Sequence, residues 1–396
     1  MQISNRWAPI ALVGGLGLVM FGCAAISRPP ASLASVQQDA APLAQRDRET
    51  RDSVIARLIR RAERRGDRTL DVLMLSGGGQ NGAFGAGFLR GWRARTDTPM
   101  PRFDLVTGIS TGALQAPYAL LGTAAALDTI SALYERAATA IAPTFDWWFW
   151  LRRTGGLVNT ARYDRTLAMV VDSQFRSELR SAFREDRQLL FATTDLDLGI
   201  GRLWSLGDEL DTTAAGLVRA RSLLRAATAI PGVFPLVVVD GHLHADGGVV
   251  ENILAGLTFA DYERLGEALA ARGLGEVTVR VWVVMNNFTH SEPRVITPSS
   301  RSQIDKRSTA LLFYLHQPST LMALENLSRA VSAGVTGVRM QVRVATLPMT
   351  ELDSPGVDAL FDRQFMQRLD SVGFAKARGS SPFDAISSAY VRPVPR

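Results

Sequence analysis

The sequence predicts an α/β fold, a three-layer α/β/α sandwich built on a mainly parallel central sheet. Short apolar runs that stop at glycine or a polar residue alternate with longer stretches of helical periodicity, the pattern of strands joined by crossover helices. Runs such as LDVLML at 70–75 and TVRVWVVM at 278–285 are apolar or β-branched nearly throughout, as strands covered on both faces are. With 396 residues, 46% of them hydrophobic, the chain has material for a large core.

The N-terminus carries one charge before an apolar run at 8–21, which is followed by Gly22-Cys23 and two alanines. This reads as a secretory signal, too short and Gly-rich for a spanning helix. Cys23, the only cysteine, stands where a bacterial lipoprotein carries its lipid, and the segment resembles such a lipobox, with Met20 and Phe21 as departures from the usual residues. The expectation is a lipoprotein signal peptide at 1–22, lipidation at Cys23, and a place in the cell envelope on the periplasmic face of the outer membrane. An ordinary signal peptide is the alternative. One cysteine excludes a disulfide within the chain.

Residues 24–45, rich in Ala, Ser, Pro and Gln, suit a flexible tether, so 23–46 is expected to lead into a single domain over 47–396. Val54, Ile55, Leu58, Ile59 and Ala62 recur at helical spacing and predict a helix over 47–65. Then follow a strand at 70–75, a glycine turn, a helix at 84–93, a strand at 103–107, a tight turn and one apolar helix at 113–133. Further strands are expected at 188–194, 236–240 and 278–285, and helices at 173–184, 214–229 and 254–271. Residues 308–338 read as helical with a break at Gln317-Pro318, within a helical extension over 300–396.

The formal net charge is +6, and all basic residues except Lys306 and Lys376 are Arg. Nine arginines against five acids fall within 46–68, which reads as an ion-paired helix face. No basic segment is interleaved with aromatics and no zinc or helix-turn-helix pattern occurs, so a nucleic-acid partner is not expected. Nor is a cofactor or metal: no P-loop ending, dinucleotide fingerprint or EF-hand spacing is present.

Three features fall at strand ends, where open α/β sheets place their sites. The loop Gly77-Gly78-Gly79-Gln80-Asn81-Gly82 opens a helix, and its free amides suit a phosphate or an oxyanion. Gly108-Ile109-Ser110-Thr111-Gly112 has the small residues of a nucleophile elbow, which presents a serine hydroxyl at a strand-to-helix turn. Serine needs a base. Of the four histidines, His290 and His316 would satisfy a Ser-Asp-His order but lie in no recognisable turn, and His242 and His244 suit a hairpin or strand end. Asp246, before Gly247-Gly248, is the better candidate, since glycines let it approach another loop. Asp195 and Asp197 read as a strand-end cap.

These three features, in this order, together with 192–197 (ATTDLD) and 226–235 (AATAIPGVFP), resemble the patatin-like phospholipases over roughly 70–256. The resemblance implies a Ser-Asp dyad: Ser110 as nucleophile, Asp246 as base, and the amides of Gly77, Gly78 and Gly79 as the oxyanion hole. Gly82, Gly108, Gly112, Gly247 and Gly248 would support these turns. Many relatives carry a basic residue where this chain has Gln80-Asn81. The function so implied is a lipid acyl hydrolase acting on phospholipid or related esters; a lipid-binding protein without turnover and a Ser-His esterase are the alternatives. Phe145 to Arg153, with three tryptophans, reads equally as a lipid-facing segment or as packing.

Overall fold

The computed structural model describes residues 26, 28, 30–142, 144–145, 158–231, 233–289, 295–296, 301–348 and 361–387. Among the described residues the main sheet has nine strands: β1 (Thr69–Leu75), β2 (Leu105–Gly108), β3 (Gln188–Asp195), β4 (Ile200–Ser205), β5 (Val237–Val239), β6 (His242–Asp246), β7 (Val277–Val284), β8 (Val338–Ala345) and β9 (Asp384–Ala385). Five of them, in the order β8-β7-β1-β2-β3, are parallel. β9, β4, β5 and β6 pair antiparallel at the flanks, so the sheet is mixed but mainly parallel.

Alternation along the strands feeds two cores. Leu73 and Leu75 of β1 and Leu189 and Phe191 of β3 point into one, and Leu70, Val72, Met74, Leu190 and Ala192 into the other. The first core is closed by α2 (Gly82–Arg93), α3 (Thr111–Leu121), α4 (Ala124–Glu135), α5 (Ala161–Val170), α6 (Ser173–Arg184), α7 (Ala214–Ala227) and α10 (Arg363–Arg378). The second is closed by α1 (Leu33–Arg65), α8 (Phe259–Ala271) and α9 (Arg301–Gly334). Helices on both faces make the expected α/β/α sandwich.

α1 overturns much of the expected tether, because the helix begins at Leu33 and runs through Pro42. Ser32 and Ser35 form a capping box, and the Ala, Gln and Leu content that suggested a linker also favours a helix once a cap and a docking surface exist. The face expected to be apolar is buried, each such side chain contributing about 1.5–3 kcal/mol. The arginines are paired inward: Arg61 and Arg65 reach Asp104, and Arg65 and Arg280 reach Asp71, both acids fully buried at the start of the sheet.

Three further expectations are corrected. The helix expected over 113–133 is two, α3 and α4, because Gly122 takes a left-handed φ of 65° and Thr123 caps the next helix. The break at Pro318 is absent, since α9 continues through it. The expected helical extension over 300–396 holds α9 and α10 but also supplies β8 and β9 to the sheet; the alternation VRMQVRVA after Gly337 is strand-like, with Val338, Met340 and Val344 buried. No described helix is long and apolar enough to cross a membrane.

Candidate active site

One edge of β3 creates the site. β4 pairs with residues 190–195 of β3 and occupies one edge. β2 pairs with 188–191 and β6 with 193–195; both ranges overlap that of β4, so both strands lie on the other edge, approaching from opposite ends. β2 stops at Gly108, two residues before Ser110, and β6 stops at Asp246. The Ser110 Oγ donates to Asp246 Oδ2 at 2.6 Å.

Ser110 has φ 53° and ψ −121°, a strained conformation for a residue with a side chain, held where the chain turns from β2 into α3. Gly108 and Gly112 permit it: a methyl on the first would overlap the Gly112 carbonyl, and one on the second the Leu75 carbonyl. Opposite, the Asp246 amide donates to the Ala229 carbonyl at 2.9 Å, and its carbonyl accepts from Thr194 Oγ1 at 2.9 Å. Its Oδ1 accepts from the Gly248 amide at 2.7 Å. Burial pushes the carboxyl up to about 6, against the opposing pull of the hydrogen bonds from Ser110 and Gly248. The carboxylate is therefore a better base than an ordinary aspartate while still ionised at neutral pH.

The glycine loop lies alongside, and its three amides are not equivalent. That of Gly77 donates to the Asn252 carbonyl at 3.1 Å, which corrects its expected place in an oxyanion hole. Those of Gly78 and Gly79 have no hydrogen-bond partner among the described residues, and Gly79 lines the same cavity as Ser110. Gly82 packs where a side chain would overlap Thr111 Oγ1 and the Tyr134 hydroxyl, and a methyl on Gly247 would lie 2.6 Å from the Ala192 carbonyl oxygen.

Asn286, two residues after β7 and fully buried, braces this loop and was missed in the sequence. Its backbone amide donates to Ser76 Oγ at 2.8 Å, and its Nδ2 donates to the Ser76 carbonyl at 2.9 Å and to Gln115 Oε1 at 3.0 Å. Gln115 in turn donates to the Gly82 carbonyl at 2.5 Å. The network ties the glycine loop to the helix that Ser110 opens. Its only sequence signal is a polar Asn-Asn pair at the end of an apolar strand. Asn252, whose Nδ2 donates to the buried Gln317 at 2.5 Å, was missed likewise. Gln80 Oε1 accepts from the Asp362 amide at 3.1 Å and so ties the loop to α10.

An apolar cavity of about 80 Å³ reaches Ser110, walled mainly by Leu114, Leu133, Leu167, Val171, Leu224 and Phe234. Such a space suits an apolar group held next to Ser110.

The remaining candidates lie elsewhere. His244 bonds Thr193 Oγ1 at 2.9 Å, and burial lowers it to about 4. His242 sits between Asp39, at 3.2 Å, and Asp195, at 2.9 Å. Asp195 caps its turn as expected, accepting from the amides of Asp197 and Leu198 at 3.0 Å. Asp195, Asp197 and His242 lie close enough to share an ion, although Arg28 holds both oxygens of Asp197. Cys23, His290, Trp147, Trp148 and Trp150 lie outside the described residues, as does the side chain of His316.

Residues 73–259 match the family model of the patatin-like phospholipases. That segment, which holds Ser110, Asp246 and the glycine loop, is a patatin-like phospholipase domain. Among solved structures, one described as the crystal structure of VipD from Legionella pneumophila is similar at 13% identity and a TM-score of 0.30, over 76% of this chain and 66% of that chain. The match thus spans just under two thirds of that structure's length. No curated protein sequence matches the chain.

Proposed function

We propose that the protein is a serine lipid acyl hydrolase of the phospholipase A or lysophospholipase type, held in the cell envelope by a lipid on Cys23. The observation that carries this reading is the 2.6 Å hydrogen bond from Ser110 to a buried aspartate at the end of an apolar cavity. In this reading Ser110 Oγ attacks the ester carbonyl and its proton passes to Asp246 Oδ2. The tetrahedral oxyanion is held by the Gly78 and Gly79 amides, donors fixed before charge develops and each contributing on the order of 3 kcal/mol. Collapse expels the alcohol, which takes the proton from Asp246. Water then attacks the acyl-enzyme, Asp246 takes its proton, and Ser110 is restored.

The test is incubation with vesicles of defined phospholipids and identification of the products. Free fatty acid and lysophospholipid from the parent protein, and neither from Ser110→Ala, is the expected result. No release by well-folded parent protein would favour lipid binding without turnover.

A further inference from the structure

We infer that the turns beside Asp246 form a lipid-docking surface that lies on the same membrane as the Cys23 anchor. The inference rests on the reading of the protein as an anchored lipid hydrolase. Val249 and Val250 follow Asp246 by three and four residues and are 51% and 50% exposed. Leu196 and Ile200, on the turn between β3 and β4, are each 39% exposed. The two turns meet, because a methyl on Gly201 would lie 3.6 Å from Val250 Cγ1. Four large apolar side chains are thus presented to solvent at one corner of the sheet, at the strand ends that carry Ser110 and Asp246.

The course of the chain toward Cys23 sets what covers them. Arg28 grips Asp197, on the same turn as Leu196, with one nitrogen 2.9 Å from Oδ1 and the other against Oδ2. From there to Cys23 is a stretch of five residues, which spans at most about 17 Å when fully extended. A lipid on Cys23 therefore enters its membrane within that reach of Asp197, and Leu196 of this corner is next to Asp197 in the chain. The Arg28–Asp197 pair sets the anchor and the docking turns side by side, so the site opens toward the leaflet that holds the protein and draws substrate from it. Burying four such side chains in the interface adds a second, non-covalent hold to a single anchor.

Lipidation consumes the thiol of Cys23, so the mature protein offers one free thiol when a cysteine is introduced. Val250→Cys and Leu196→Cys, each labelled with a polarity-sensitive dye, are compared with Glu276→Cys, an exposed position just ahead of β7, where the parallel strands start. The lipidated protein is reconstituted into phosphatidylethanolamine and phosphatidylglycerol vesicles carrying nitroxide lipids. The expected result is a blue shift and at least twofold nitroxide quenching at 250 and 196, with neither at 276. Water-like emission without quenching at 250 and 196 overturns the proposal. So does a blue shift without vesicles that grows with protein concentration, which marks a second copy of the chain as the occupant. The readout requires no turnover, so failure of the hydrolase reading would show separately, as absent product release.

Discussion

Ser110 and Asp246 stand 2.6 Å apart because β2 and β6 meet end to end along one edge of β3. Neither strand could place its residue alone. The pairing of 188–191 with one strand and 193–195 with the other fixes the separation, the glycines at 108 and 112 permit the turn that carries Ser110, and the glycine at 247 lets the chain after Asp246 pack against β3.

Burial of Asp246 implies a defined pH dependence. The carboxylate must be ionised to take the serine proton, so kcat/KM is expected to rise through about pH 6 and then level. Glu251, pushed up to about 7 by burial on the same loop, is a second group whose titration would distort the profile. In Glu251→Gln a single step near 6 should remain, and an activity limb near the ordinary aspartate value would contradict the assignment.

The same burial costs stability. Because the folded state holds the Asp246 proton more tightly than the unfolded chain, stability falls as pH rises from about 4 to about 6 and is flat above. The cost at neutral pH is on the order of 2–3 kcal/mol. Asp246→Asn is therefore expected to gain stability relative to the parent between pH 4 and pH 7 in urea titrations, while losing activity. An advantage independent of pH would show that the carboxylate is not penalised.

Asn286→Ala is expected to lower kcat by about 10²-fold with KM nearly unchanged, since it loosens the glycine loop without touching the cavity. It also leaves the Ser76 carbonyl and Gln115 short of a donor, at about 1–3 kcal/mol. A raised KM at constant kcat, measured on a soluble ester, would place Asn286 outside the positioning of the loop.

Val171→Phe projects into the cavity and should cut kcat/KM for long-chain esters about tenfold relative to acetate. Equal loss for both chain lengths would mean that the cavity does not hold the acyl group.

Asp104→Ala separates folding from chemistry. It takes from Arg61 its paired acid, from Arg65 one of its acids and from the buried Asp71 amide its acceptor, so a loss of about 3 kcal/mol in urea unfolding is expected, with activity per folded molecule retained. A drop in kcat of the folded fraction would tie this network to the site.

Most of the parallel sheet was legible because strands buried on both faces announce themselves as apolar runs ending in glycine. Leu70–Leu75 of β1 and the buried helical stripe from Val54 to Ala62 are such cases. What the sequence concealed depends on tertiary partners. Residues 33–45 look like a linker until Ser32 caps them and Leu43 is buried. β8 was hidden behind the long helix before it, although Gly337 and the alternation that follows mark its start. In the site, Ser110, Asp246 and the glycines carried local signals. The commitment of the Gly77 amide to Asn252 and the bracing by Asn286 are contacts over roughly 170–210 residues of chain, to which no local pattern points.

The central claim is that an aspartate, without a histidine, activates Ser110. The most direct measurement is the rate at which a fluorophosphonate probe labels the purified protein, with the modified residue located by peptide mass spectrometry. The account predicts labelling at Ser110 in the parent and in His290→Gln and His316→Gln, and its loss in Asp246→Asn. Labelling that persists in folded Asp246→Asn but disappears in either histidine variant would contradict it.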